Sequence, residues 1–217
     1  LMKGRILTSL LAVIAITGLQ APETPAVPRL VVGLTIDQLN MDYVEAFADM
    51  FGERGFKRLW REGRVYRNAE YNFNQVDRSS AVAAIYTGTT PHVNGIVGNA
   101  WMDRTSLQVV NCVDDTRFMG IYTSESTSPS RLSVSNLSDE LIVATQGTAE
   151  VYSIAPTREM AVLAAGHASQ GAFWINDETG KWSGSTYYGT FPSWVSNYND
   201  RQGLDFRISD MTWSPYL

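Results

Sequence analysis

Apolar and polar residues follow one another along the chain in blocks that predict alternating strands and helices. The nearly continuous apolar run Arg29–Ile36 has the length of a strand and is typical of a buried parallel strand. Helical spacing of apolar residues follows over Met41–Phe51 and Gly55–Glu62. Asn40 is suited to cap the first of these helices, and Gly63 to end the second.

The same pattern continues to the end of the chain. It predicts a strand at Val65–Tyr71, a helix between the N-cap Asp77 and Gly88, a helix at Ser135–Gln146, short buried strands at Val151–Ala155 and Met160–Ala164, and a hairpin that joins Ala172–Asn176 to Trp182–Tyr188 through the turn Asp177–Gly180. Strands and helices in this succession predict an α/β fold.

The composition is that of a globular domain. The chain has 217 residues, of which 44% are hydrophobic and 18% charged, and its net charge is −5. This charge provides no basic surface for nucleic acid, so no nucleic acid binding is expected. Cys112 is the single cysteine, so an internal disulfide is excluded and a small buried side chain is expected.

The first residues predict an exported protein. Lys3 and Arg5 precede an apolar run that is shorter than the roughly 20 residues of a membrane-spanning helix, so residues 1–21 are expected to be a signal peptide and not a stable membrane anchor. Residues 22–28 form a Pro-rich spacer, and residues 29–217 form the domain itself. Within it, 103–131 is poorly periodic and predicts a long loop or small insertion.

Candidate chemistry lies at two element ends. Arg78, Ser79 and Ser80 fall in the first turn of the helix that Asp77 caps, where free backbone N–H groups favour an anion such as a phosphate. Asp37 follows the first predicted strand, at the end where ligands gather in open α/β sheets. The adjacent acids Asp114 and Asp115 are better explained by turn chemistry than by a metal, because adjacent residues in a strand or helix point apart. His167 has no carboxylate or second imidazole at ligand spacing and His92 lies in a Pro-containing turn, so structural roles are expected for both.

Two sequence blocks carry a resemblance to a known family. Tyr86–Asn99 (YTGTTPHVNGIVGN) and Gly166–Tyr188 resemble the alkaline phosphatase superfamily, in the branch of nucleotide pyrophosphatases/phosphodiesterases and single-chain bacterial alkaline phosphatases. The resemblance implies an incomplete three-layer α/β domain with a mostly parallel sheet, in which 166–217 is a cap-like hairpin region beside the cleft. It also implies an exported hydrolase of phosphate esters with two zinc ions, where Asp37 ligates zinc and Asn99 contacts a phosphoryl oxygen.

The chain departs from the family pattern at the nucleophile. Ungapped counting back from Tyr86 places the family's nucleophilic Thr on Arg78, whose guanidinium stays protonated. Ser79 is the next candidate, with Arg78 and Ser80 as substrate contacts. The Lys-x-Arg pair of the bacterial monoesterases falls on Thr157 and Glu159, so the preference for monoesters or diesters stays open, and Arg158 could compensate.

The remaining zinc ligands of the family lie beyond the point where this chain stops, and the chain has only 2 histidines. The resemblance therefore implies that this polypeptide alone is inactive. Three interpretations stay open for the parent protein: a metal-dependent phosphatase or phosphodiesterase with Ser79 as nucleophile, a noncatalytic relative that binds an anion through Arg78, and a transferase or sulfatase relative. The last is disfavoured because the sulfatase signature is absent.

Overall fold

The computed structural model describes residues 29–201, 208–209 and 211–214. The chain divides into two units, residues 1–49 and 50–217, and each is described by itself. The predicted signal peptide and spacer lie outside the described residues.

Among residues 29–49, the described part of the first unit, there is one α-helix. Helix α1 spans Met41–Ala46, and the side chain of Asn40 accepts a hydrogen bond from the Asp42 N–H (2.9 Å), as predicted for its N-cap. A short 3-10 helix, Ala48–Met50, then completes the helical segment that the sequence indicated.

The predicted strand at Arg29–Ile36 is wrong. This segment is irregular, and its apolar side chains are exposed, for example Leu30 by 79% and Leu34 by 80%. A buried strand requires hydrogen-bonding partners on both edges, and neither sheet of the described residues includes this segment. Asp37 consequently lies in an exposed turn and not at the end of a strand.

The second unit carries the other elements. Its helices are α2 (Phe56–Glu62), α3 (Arg78–Thr87), α4 (Pro91–Asn94), α5 (Leu137–Ala144), α6 (Arg158–Ala165) and α7 (Ser193–Arg201). Its strands are β1 (Ala100–Met102), β2 (Val109–Asn111), β3 (Gly120–Ile121), β4 (Tyr152–Ala155), β5 (Gly171–Ile175) and β6 (Trp182–Ser185), followed by a 3-10 turn at Thr186–Tyr188.

The strands form two sheets. Strands β1 and β2 make an antiparallel ribbon, and the larger sheet has the order β3-β6-β5-β4. In that sheet β4 and β5 are parallel, whereas β5 pairs with β6, and β6 with β3, in antiparallel fashion. The hairpin predicted around Asp177–Gly180 is therefore confirmed, and Gly180 takes the left-handed conformation (φ 63°) that the turn requires.

The core lies between α6, α3 and the larger sheet. Ala161, Val162 and Leu163 of α6 are fully buried, and they belong to one apolar cluster with Ala83 of α3 and Trp174 of β5. Burial of these apolar side chains is the main favourable contribution to folding of this unit.

Two further strand predictions are wrong for different reasons. Met160–Ala164 belongs to helix α6. The strand prediction failed because a short apolar run that is buried on nearly all sides has no periodicity by which a strand differs from a helix. Val65–Tyr71 is irregular, and Val65, Tyr66 and Tyr71 are exposed. The segment has strand propensity, but no strand of the described residues pairs with it.

The segment 103–131 is more ordered than the predicted loop. It contains β2 and β3, and an isolated bridge joins Asp114 to Thr127. Val113, Thr127 and Ser128 are fully buried, so the segment contributes to the interior of the second unit.

Candidate functional site at the start of helix α3

Helix α3 begins with a reciprocal cap. Oδ1 of Asp77 accepts a hydrogen bond from the Ser80 N–H (2.8 Å), and the Asp77 N–H donates to Oγ of Ser80 (3.0 Å). The predicted N-cap is confirmed, as is the end at Gly88, which adopts the left-handed conformation (φ 67°). Ser80 is fully buried, and its hydroxyl serves this cap, so the role predicted for Ser80 in substrate binding has no geometric support.

The structure brings two predicted site residues together. Oγ of Ser79 donates a hydrogen bond to Oδ1 of Asn99 (2.7 Å), across 20 residues of sequence. Ser79 has 0% of its surface exposed, whereas Asn99 is exposed. A buried hydroxyl is thus bonded to the side chain of an exposed residue.

Arg78 occupies the first position of α3. It is exposed, immediately before the buried pair Ser79 and Ser80. A guanidinium at a helix N-terminus combines a fixed positive charge with the positive end of the helix dipole, which favours a bound anion.

Cys112 borders the site from the turn that follows β2. Its N–H donates to the carbonyl oxygen of Asn99 (2.9 Å), and its side chain is buried. Burial raises the pKa of the Cys112 thiol to about 12, while a hydrogen bond with the Ser79 hydroxyl acts in the opposite direction. The thiol therefore stays protonated at neutral pH and is not a nucleophile. Sequence reasoning missed this neighbour, because no pattern connects position 112 to position 79.

Arg158, at the start of α6, is engaged with carboxylates of the protein. The Arg158 side chain is 9% exposed, and its Nη2 lies 3.0 Å from Oδ1 of Asp114 and its Nε 3.6 Å from Oε1 of Glu125. Oε1 of Glu159 accepts a hydrogen bond from the Asn111 side chain (2.6 Å). Because the Arg158 guanidinium is engaged with these carboxylates, the compensation expected from it has no support.

Asp114 and Asp115 accept hydrogen bonds from nearby backbone N–H groups, as the turn chemistry of the sequence predicts. Oδ2 of Asp114 accepts the Asn111 N–H (2.8 Å). Asp115 pairs with the Arg117 guanidinium (2.7 Å) and accepts hydrogen bonds from Ser128 and Ser130. The Arg117 hydrogen bond is the main reason that the pKa of Asp115 is well below its usual value.

The imidazole ring of His167 contacts protein groups on both of its nitrogen atoms. Its Nδ1 lies 2.9 Å from Oδ2 of Asp139, and its Nε2 lies 3.0 Å from the carbonyl oxygen of Leu132. The hydrogen bond to Asp139 raises the pKa of His167. Burial opposes ionisation of Asp139, but hydrogen bonds from His167 and from backbone N–H groups outweigh burial and lower the pKa of this carboxyl. His92 is exposed in the last turn of α4.

The described residues do not form a zinc site by themselves. No group of three or more His, Cys, Asp or Glu side chains within residues 29–201, 208–209 and 211–214 is arranged to hold a metal ion. Asp37, the predicted ligand, lies in the first unit, and Ser79 and Asn99 lie in the second. No helix in this part of the chain is long and apolar enough to cross a membrane.

The α/β architecture agrees with comparisons of this chain with known proteins. The chain belongs to the type I phosphodiesterase / nucleotide pyrophosphatase family, which matches residues 31–214. The resemblance predicted from the two sequence blocks is therefore confirmed.

Its relatives include bacterial alkaline phosphatases. The chain is 36% identical over 197 residues to alkaline phosphatase PhoV of Synechococcus elongatus, covering 89% of this chain and 36% of PhoV. It is 36% identical over 200 residues to alkaline phosphatase PafA of Elizabethkingia meningoseptica, covering 88% of this chain and 37% of PafA. The crystal structure of wild-type PafA superimposes with a TM-score of 0.82 at 33% identity, over 88% of this chain and 38% of PafA.

These matches confirm the predicted alkaline-phosphatase-like α/β fold and its incompleteness. The chain spans little more than a third of the length of these relatives. The described part of the sheet is mixed, with one parallel pair, β4–β5, beside two antiparallel pairs.

Proposed function

We propose that the complete protein is a hydrolase of phosphoric esters, with Ser79 as nucleophile and Asn99 as a contact to the phosphoryl group. The hydrogen bond between Ser79 Oγ and Asn99 Oδ1 (2.7 Å) at the N-terminus of α3 carries this proposal. This bond joins a hydroxyl to an amide, and it supports the proposal in a family whose relatives include alkaline phosphatases.

The orientation of the amide supports this assignment. Oδ1 of Asn99 accepts the hydrogen bond from Ser79, so this bond does not use the NH₂ group of the same amide. The NH₂ group can only donate hydrogen bonds. Donors are what the equatorial oxygens of a phosphoryl group require as negative charge develops on them. Arg78, exposed on the same turn, would add a bidentate contact to these oxygens.

In the proposed reaction, Ser79 Oγ leaves its hydrogen bond to Asn99 and forms a bond to phosphorus while the bond from phosphorus to the ester oxygen breaks, and the Ser79 proton passes to the leaving alcohol. Water then attacks the phosphorus of the phosphoseryl ester, the bond from phosphorus to Oγ breaks, a proton from the water returns to Oγ, and the phosphate, or the monoester where the substrate is a diester, is released. We propose further that the complete protein binds two zinc ions, with Asp37 as one ligand, which elemental analysis would test. The described residues do not complete such a site, so no step is assigned to a metal.

A second candidate function is anion binding without cleavage. Two observations favour it: Ser79 is completely buried, and the neighbouring Arg78 is exposed. A nucleophile must reach its substrate, which burial opposes, whereas a guanidinium binds an anion but does not attack it. In this case Arg78 and the N-terminus of α3 would hold a phosphate-like group that no hydroxyl attacks.

Hydrolysis of nitrophenyl mono- and diesters by the complete protein separates the two candidates. For the hydrolase, Ser79→Ala reduces kcat by at least about 10³-fold, because the attacking oxygen is lost. Arg78→Ala raises KM and lowers kcat/KM by roughly 10- to 100-fold through loss of a charged contact.

Matched controls are Ser106→Ala and Arg104→Ala, two exposed side chains near the β1–β2 turn, which should leave kcat and KM unchanged. Full hydrolysis by Ser79→Ala would refute the nucleophile assignment. Phosphate binding that depends on Arg78, with no hydrolysis of either ester by the wild type, would establish the second candidate.

A further inference from the structure

The Asp77 carboxylate bonds to two parts of the site that are far apart in sequence. Oδ1 accepts the N–H of Ser80, inside helix α3, and Oδ2 accepts the N–H of Asn99 at 2.6 Å, 22 residues away. A helix cap needs only the first of these bonds. The second oxygen is therefore available to hold the loop that carries Asn99.

Asn99 is fixed at three atoms. Its N–H donates to Asp77, its carbonyl oxygen accepts from the Cys112 N–H (2.9 Å), and its side-chain Oδ1 accepts from Ser79 (2.7 Å). The bond to Asp77 directly connects the main chain of Asn99 to the start of the helix that carries Ser79. Movement of either segment would change the distance between the Ser79 hydroxyl and the Asn99 amide.

The close approach at Asp77 is possible because residue 98 is glycine. A Cβ atom at Gly98 would lie 3.2 Å from Oδ2 of Asp77, closer than ordinary van der Waals contact. The loop thus reaches the carboxylate with little space to spare.

We infer that Asp77 is a positioning residue, which sets the Asn99 amide against Ser79 by bonding to the main chains of both segments. The inference rests on the proposed function. Asp77 does not touch the reacting atoms in this assignment, and it acts through Asn99. Its ionised form is needed because a carboxylate accepts with both oxygens, whereas the amide of an Asn replacement accepts with only one.

Asp77→Asn in the complete protein tests this role. Asn caps helices about as well as Asp, so the thermal midpoint should stay near that of wild type. One of the two backbone bonds is lost, and kcat for the nitrophenyl ester that the wild type cleaves should fall about tenfold with little change in KM, since the contact matters most in the transition state. Asp103→Asn is a matched control, because Asp103 also accepts backbone N–H groups but in the β1–β2 turn.

A double-mutant cycle distinguishes positioning from capping. If Asp77 acts through Asn99, Asp77→Asn should cause no further loss of kcat in an Asn99→Ala background. An equal loss of kcat in both backgrounds would overturn the inference, as would wild-type kcat in Asp77→Asn.

A crystal structure of the Asp77→Asn protein provides a readout that does not depend on activity. The expected result is a displaced Asn99 main chain and a Ser79 Oγ to Asn99 Oδ1 separation beyond hydrogen-bond distance. An unchanged pair would refute the inference. If the wild type cleaves neither ester, the proposed function fails, and this structure still decides the role of Asp77.

Discussion

At the scale of single residues, buried carboxylates hold together segments that are remote in sequence. Asp139 caps the start of α5 through the Asn136 N–H, and it also accepts the N–H groups of His167 and Ala168 beyond the end of α6. The His167 ring adds a partner at 2.9 Å, which carries a charge when the imidazole is protonated. One carboxylate therefore joins the N-terminus of α5 to the connection between α6 and β5.

The Asp139–His167 pair predicts a pH dependence of stability. The folded pKa of His167 is raised, so its contribution is complete below about pH 6.5 and is lost as pH rises through the folded pKa. The folded pKa of Asp139 is lowered, so its contribution is complete above about pH 3.9 and is lost as pH falls through the folded pKa. The pair thus stabilises most between these two values.

Replacing His167 by Gln should reveal this window. We expect the complete protein to lose about 1 kcal/mol in unfolding free energy near pH 5.5, and less near pH 8.5, measured by urea denaturation. His92→Gln, at the other histidine of the chain, should show no such trend because His92 is exposed. A cost of His167→Gln that is the same at both pH values would contradict the assignment.

At the scale of elements, the helices that begin at a side-chain cap were predictable because this determinant is local. Asn40, Asp77 and Asn136 cap α1, α3 and α5 through residues two or three positions away. Strands depend on partners elsewhere in the chain, which explains why Arg29–Ile36 and Val65–Tyr71 were mistaken for strands. For the site, the motif matches Asn99 and places the nucleophile position on Arg78, with Ser79 as the next candidate. The bridge from Asp77 to Asn99 is a tertiary contact with no sequence pattern.

Arg158 shows how an element start can organise a long connection. Its buried guanidinium contacts Asp114, Glu125 and the Thr127 hydroxyl, which all belong to segment 103–131. The interaction joins the first turn of α6 to a segment with little regular structure, so Arg158 holds this segment in place.

Arg158→Ala should therefore be costly. We expect a loss of about 2 kcal/mol in unfolding free energy, smaller than for a fully buried pair because Asp114 and Glu125 are partly exposed. Urea denaturation of the complete protein measures it. Arg61→Ala, which removes an exposed arginine of α2 that pairs with Glu53 and Glu62, should cost less than about 0.5 kcal/mol. Equal costs for the two variants would show that Arg158 does not stabilise the segment.

At the scale of the whole molecule, the proposed hydrolase is expected to act outside the cytoplasm. Residues 1–21 combine a basic start with a short apolar run, and the family matches only from residue 31 onward. This arrangement agrees with a cleavable leader followed by a Pro-rich spacer.

Export is testable by cell fractionation. In a Gram-negative host, the complete protein should accumulate in the periplasm with an N-terminus near residue 22, as determined by mass spectrometry. Replacing Lys3 and Arg5 by Glu should retain the precursor in the cytoplasm, whereas Arg29→Glu, beyond the spacer, should not. A periplasmic protein of uncleaved mass would contradict the leader assignment.

The exposed run Arg29–Ile36 has a consequence for handling this polypeptide. Leu30, Val32 and Leu34 present apolar surface to water, and the run combines high strand propensity with no charge after Arg29. Exposed apolar backbone that belongs to neither sheet of the described residues is a template for cross-β stacking between molecules. Preparations of this chain should therefore form fibrils or precipitate as concentration rises, unless another polypeptide surface shields these residues.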